Sequence, residues 1–409
     1  MMRDVSPAAS SRATPAGRRF PRPSCTSRLV GLDLARGVAI LGMYAVHLGP
    51  DPAVGGPLGW AMEAAAGRAA TLFALLAGFT LVILTGRPEP QTGRAGRQAV
   101  GRVLIRSAVL FAMGYALTWL DTPIEVILSF YGLLFVLALP LYRLRAAALA
   151  VIAAATALVM PVVVYLLRAA VDGGSWSDAF IAHDPLALVT GSDGVLELFV
   201  TGEYPVLTWL PFIVTGMALA KLDLTRPRVA STVALTGVAL AVLGYGGSWL
   251  ALHLVPGAPA AVSAATEGGP AASAWWSDAI GNEPTAGEPA WLLVAAPHSQ
   301  TTWSILGNTG AALVVVAVCF VLMDRSPRLR WLAAPVTALG TIALTAYVGH
   351  ILGVKALNTF AMPDSTALPV FLGFAAVAML AAVAWTWFFR RGPLEYCLHL
   401  ATTPTRLIT

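Results

Sequence analysis

The chain has 409 residues, 57% of them hydrophobic and only 11% charged, with a formal net charge of +5. A soluble domain carries about 25% charged residues; the deficit, a mean hydropathy of +0.74 and repeated long apolar runs exclude an ordinary soluble enzyme and point to a polytopic membrane protein. The excess positive charge is spread over short loops rather than gathered in one patch, which excludes a nucleic-acid surface.

Residues 1–27 are rich in Ser, Pro and Arg and lack an apolar core, so they read as a disordered cytoplasmic tail rather than a signal peptide. Residues 28–398 form a membrane domain and 399–409 a C-terminal tail. The fold class is all-α: ten membrane helices are predicted near 31–48, 68–85, 99–119, 124–141, 147–168, 204–220, 231–252, 302–323, 335–356 and 367–389. Each is about long enough to span, allowing for tilt. The segment WLLVAA, 291–296, is too short to span and is expected to enter the membrane partway or lie at its surface. The Ala/Gly/Pro-rich stretch 256–273 is expected to be mobile or loosely packed.

Charge bias orients the chain. Arginines and lysines fill the N-terminal tail, the loops after the second, fourth, sixth and eighth helices, and the tail that begins Arg390, Arg391. The alternate loops carry Asp51 and Glu63, Asp121 and Glu125, Asp172 to Asp193, Glu267 to Glu288, and Asp364, with only Arg68, Arg168 and Lys355 on or near that side. Both termini are therefore expected in the cytoplasm. The two long loops, 169–203 and 253–301, fall outside, where part of a substrate site is expected.

The run RLVGLDLARGVAILGMYAVHLGP, 28–50, organises the chain. Asp33 and Arg36 share one helix face and can pair; they either anchor the helix start or let Arg36 also meet an anionic ligand entering from the cytoplasm. His47 follows Asp33 by fourteen residues, about 21 Å along a helix, so the two are not a hydrogen-bonded dyad. Only a long, thin molecule touches both. His47, His298, His350 and Glu203 all fall at the outer level and can converge there. A neutral histidine near a carboxylate serves as a general base toward a sugar hydroxyl or amine; alternatively each histidine simply bonds across helices. Asn308 is read as a carbonyl donor or a helix cross-link. His183, His253 and Thr345 are weaker candidates. Cys25, Cys319 and Cys397 have no metal-ligand spacing, and no metal is expected.

The opening RLVGLDLARGVAILGMYAVH, with LTWLPFIVTGMAL, PHSQTTWSILGNTGAAL, LGTIALTAYVGH and RRGPLEYCL, resembles the YeiB-like family of bacterial membrane proteins with a DUF418 region. That family is related to the transmembrane acyltransferase superfamily, which also contains heparan-alpha-glucosaminide N-acetyltransferase. The resemblance implies a multi-pass protein of the bacterial cytoplasmic membrane. Its implied reaction is transfer of an acyl group, often acetyl, from cytoplasmic acetyl-CoA or another acyl-CoA to an extracytoplasmic sugar, lipid or peptide acceptor. Asp33 and Arg36 then belong to the cytoplasmic entry, with the basic region of Arg102 and Arg106 beside the donor's phosphates and Asn308 near its thioester. Acyltransferase-3 members carry a histidine at the outer end of the first helix, similar to His47. Glucosaminide-type members place the catalytic histidine after the first helix, yet residues 49–67 contain none, which leaves the base between His47 and His298. Two other classes compete: a small-molecule or lipid transporter or flippase, and a non-catalytic partner in envelope assembly. Membrane lipids surround the chain in every case, and homo-oligomerisation is open.

Overall fold

A computed structural model describes residues 27–87, 89–281, 284 and 287–408. The tail expected at 1–27, with Cys25, lies outside the described residues except for Ser27. No strand occurs among the described residues. In chain order the helices are α1 (Ser27–Leu48), α2 (Gly56–Ala65), α3 (Arg68–Thr85), α4 (Gly93–Thr118), α5 (Leu128–Ala138), α6 (Ala146–Asp172), α7 (Ser175–His183), α8 (Pro185–Thr190) and α9 (Val206–Ala220). Then follow α10 (Pro227–Ala241), α11 (Gly247–Leu254), α12 (Ala258–Ala265), α13 (Thr302–Arg325), α14 (Pro327–Leu332), α15 (Ala334–Thr341), α16 (Ala343–Leu357), α17 (Ala367–Phe388) and α18 (Pro393–Ala401).

The protein is an all-helical bundle with seven candidate membrane spans: α1, α2 with α3, α4, α6, α10 with α11, α13 and α17. Two further apolar helices, Leu128–Arg143 and Val206–Ala220, are shorter. The helix expected at 335–356 is broken. It turns by 88° between α15 and α16, at Ile342, whose φ of −114° and ψ of 34° leave the helical region. The break exposes the first amides of α16, and a carboxylate from α18 takes them up. Glu395 accepts from Leu344 N at 2.7 Å and from the Thr345 hydroxyl at 2.6 Å.

The core is built on α1, α3, α9 and α13. Burial separates centre from rim: 61% of the α13 window is buried, against 11% of the α17 window, which faces outward along most of its length. In lipid, close packing of small residues replaces the hydrophobic drive between helices. Gly37 and Gly340 show the mechanism, since a Cβ on Gly37 would collide with the Val336 carbonyl and one on Gly340 with that of Asp33. At the Asp33 end of the bundle, basic side chains cap carbonyls at helix ends, where the dipole favours positive charge. Arg87 Nε donates to Ala220 O at 2.6 Å and Lys221 to Tyr142 O at 2.8 Å.

Three further expectations are corrected. Residues 124–127 are not helical, although Ile124, Val126 and Ile127 are buried; the helix starts at Leu128. The stretch 256–273 holds α12, with Ala258 and Val262 fully packed. WLLVAA is packed inside the protein rather than on its surface. Its first three residues close a short 3-10 helix, Pro289–Leu293, and Trp291, Val294, Ala295 and Ala296 are buried, three of them in a second apolar cluster with Leu252 and Val262.

Candidate active site

At the His47 end, α1, α16 and the loop 294–301 bring three histidines together. His350 Nδ1 lies 2.5 Å from the Tyr347 carbonyl oxygen. A carbonyl only accepts, so Nδ1 carries the proton and Nε2 of the neutral ring is bare. His47 Nδ1 sits 2.9 Å from that Nε2 and is therefore the donor. This chain of two bonds leaves His47 Nε2 as the basic nitrogen. Tyr44, whose hydroxyl donates to Ala346 O at 2.9 Å, ties α16 to α1 beside the pair.

His298 is held by strained backbone. It and Gln300 both have positive φ, 58° and 57°, a region uncommon for residues with a Cβ. Side chains fix the turn. Gln300 donates to Glu203 O at 3.0 Å and accepts from the Thr208 hydroxyl at 2.7 Å; the Trp291 indole donates to Ser299 O at 3.0 Å. Gly67 makes the room, because a Cβ there would press on Pro297.

His298 Nδ1 stands 2.9 Å from Glu203 Oε1. Burial alone would lower the basicity of His298, but Glu203 and then Asp278 outweigh it, and the imidazole titrates above its ordinary 6.5. Burial alone would raise Glu203, but His298 and Arg168 outweigh it, and the carboxyl titrates below its ordinary range. Each partner thus favours the charged form of the other.

His47 and His298 both line a cavity of about 30 Å³ with Glu125, Tyr204 and Tyr347, room for about two waters. A larger cavity of about 370 Å³ opens on the other side of His47, with Asp51, Asp278 and Asp364 in its wall. Toward the Asp33 end, a third cavity of about 200 Å³ is lined by Arg36, Thr80, Arg106 and Glu395. Arg36 is engaged there, 2.9 Å from Asp33 and 2.7 Å from Thr80. The buried Nε of Arg106 has no partner among the described residues. Phe73 and Tyr131 line this cavity and Tyr347 lines the small one. Phe73 stacks between the two tyrosines, at 5.7 Å from Tyr131 and 6.2 Å from Tyr347, so an aromatic septum separates the two spaces.

Not every candidate joins these cavities. Arg102 bonds Gln91 at 3.1 Å and lines none of them. Asn308 is committed to helix packing. It accepts from Tyr245 at 2.7 Å and donates to Ser304 at 3.2 Å, while Tyr245 in turn accepts from Arg68 at 3.0 Å. His183 and His253 bond carbonyls of their own helices. Thr345 serves Glu395 rather than its own backbone. Among the described residues no group of three His, Cys, Asp or Glu side chains could hold a metal ion. Glu125, Tyr204, Asp278 and Glu395 were not singled out for the site. For Glu395 a signal existed, since it lies in the RRGPLEYCL stretch.

Residues 28–254, more than half of the chain, match the family described as heparan-alpha-glucosaminide N-acetyltransferase, catalytic. The chain belongs to this family. Residues 285–405 match a second description, protein of unknown function (DUF418). No curated protein and no solved structure matches the chain. The cavities are assembled across both matched regions: the acetyltransferase-type region supplies Arg36, His47, Arg106 and Glu203, and the DUF418 region supplies His298, His350 and Glu395.

Proposed function

We propose that the protein is a membrane acyltransferase that moves an acetyl-type group from cytoplasmic acyl-CoA to a glycan, lipid or peptide acceptor on the far side of a bacterial cytoplasmic membrane. In this reading ten helices span, counting the broken α15–α16 pair and the two shorter helices, and both termini are cytoplasmic. The observation that carries it is the pairing of a proton-fixed His47–His350 dyad with a His298–Glu203 pair around one small cavity.

The orphaned Nε of Arg106 suits an anionic donor entering from the cytoplasm. The 200 Å³ cavity is smaller than the roughly 300–1,000 Å³ of a drug-sized site, so it suits the donor's narrow arm, with the nucleotide end at the basic inner face. The donor supplies a thioester carbonyl as electrophile. His47 Nε2 takes the proton of the acceptor's hydroxyl or amine as the new bond to the acyl carbon forms. His350 holds the resulting imidazolium in place through the His47 Nδ1–H bond. Cationic His298 stabilises the oxyanion. When the carbon–sulfur bond breaks, His47 returns the proton to the sulfur.

Purified protein in proteoliposomes tests this: label from acetyl-CoA supplied at the cytoplasmic face should appear in acceptor at the other face. A transport reading also draws support from the two cavities on either side of the septum. It predicts instead that a solute crosses intact with no thioester consumed, and that result would replace the first reading.

A further inference from the structure

A fourth space runs along the side of the bundle between α16 and α17. It has a volume of about 590 Å³ and an almost wholly apolar lining built on Ala346, Gly349, Gly353, Gly373, Val377 and Ala381. The small residues make it deep: a Cβ placed on Gly349 or Gly373 would meet nothing within 4 Å. Two features separate it from an ordinary lipid-facing surface. Its floor reaches Tyr44 and the buried His350. At one end it shares Thr359, Met362 and Val370 with the 370 Å³ cavity that opens on His47. The two spaces thus adjoin across these residues, an apolar arm beside a polar head end. The head end carries Asp51, Asp278 and Asp364 and no lysine or arginine in its lining.

We infer that these two spaces join to bind the acceptor, a single-chain amphiphile whose hydrocarbon chain lies in the α16–α17 groove and whose head, bearing a hydroxyl or amine and no negative charge, sits at His47. The inference rests on the acyl-transfer reading for what happens to the head, and on the shared wall and charge for the rest. Three acidic residues in the lining of the head end disfavour an anionic group and favour a neutral or amine-bearing one. Burial of the chain supplies binding that a free sugar lacks.

The test uses the full chain in phosphatidylcholine nanodiscs with labelled acetyl-CoA and two acceptors, dodecyl β-glucosaminide and methyl β-glucosaminide. A dodecyl glucosaminide with a diazirine on its chain reads binding separately from turnover. The dodecyl acceptor should be preferred by about tenfold or more in kcat/KM. Gly373→Leu and Val377→Trp, both facing open space, should abolish that preference, keep the methyl acceptor's rate, and remove photolabel from residues 343–381. Equal use of both acceptors, unchanged in the variants, would overturn the inference. So would label spread evenly over all lipid-facing helices, which marks contact with bulk lipid only. Label confined to the groove without acetylation of either acceptor would overturn the acyl-transfer reading and leave the groove standing. Neither label nor product would overturn both.

Discussion

The three histidines differ in what each can do, and bonding partners set the difference. His350 is locked as a donor to a backbone carbonyl, so it positions His47 without taking a proton onward. His47→Ala should therefore lower kcat about 10²–10⁴-fold. His350→Ala should cost less and leave the KM for acetyl-CoA unchanged, as steady-state kinetics would read. Equal losses in both variants would mean that the two rings act as one base. His298 depends on Glu203 for its charge. Its folded-state pKa is raised, so its stabilisation is complete below about 6.5 and is lost as pH rises through the raised value. The alkaline limb of the pH–rate profile should fall above the ordinary imidazole range. Glu203→Gln removes the largest cause of the rise, and that limb should move to lower pH. An unmoved limb would assign it to another group.

At the scale of elements, the break between α15 and α16 depends on α18. Glu395 takes up amides at the start of α16, the work of a helix cap, and its charge faces the positive end of that helix. Glu395→Ala should cost about 1–2 kcal/mol and lower Tm by a few degrees, measured by differential scanning fluorimetry in detergent. Glu395→Gln should recover part of the loss, because its carbonyl oxygen still accepts. An unchanged Tm in both would show that the break holds itself. The break was not legible in the sequence, since ALTAYVGH continues an apolar run without a proline or glycine at Ile342; the group that takes up the amides freed at the turn, Glu395, lies fifty residues later. By contrast, the positions of α3 and α9 were legible, because Arg68 and Lys221 bound their apolar runs. The shared level of His47, His298 and His350 followed from counting residues along helices. The pairing of His298 with Glu203 did not, since it depends on two left-handed residues in the 294–301 turn that no periodicity encodes.

At the scale of the whole molecule, the proposed direction of transfer depends on which end faces the cytoplasm, and on what keeps the two ends apart. Cys397 is exposed on α18, while Cys319 is buried. In a Cys25→Ser background, an impermeant maleimide should label Cys397 in inside-out vesicles and not in right-side-out ones. The opposite result would invert the orientation. The ends are kept apart by Phe73, held between Tyr131 and Tyr347. Arg36 and Arg106 lie on one side of that ring, His47 and His298 on the other. In the proposed transfer a thioester crosses this point only by displacing the ring, and the returned ring would shield the acyl carbon from water that competes with the acceptor. Phe73→Ala removes the septum. A buried Phe→Ala change costs about 3–5 kcal/mol in a filled core, but Phe73 borders an existing cavity, so the variant should fold with a loss at the lower end. It should release free coenzyme A from acetyl-CoA several-fold faster than the parent when no acceptor is present, followed with a thiol reagent, while transfer to the acceptor falls. Phe73→Leu, which keeps most of the bulk, should release little. If Phe73→Ala elutes as a folded species and hydrolyses no faster, the ring is not the barrier between the two halves, and the separation of donor and acceptor must come from elsewhere in the bundle.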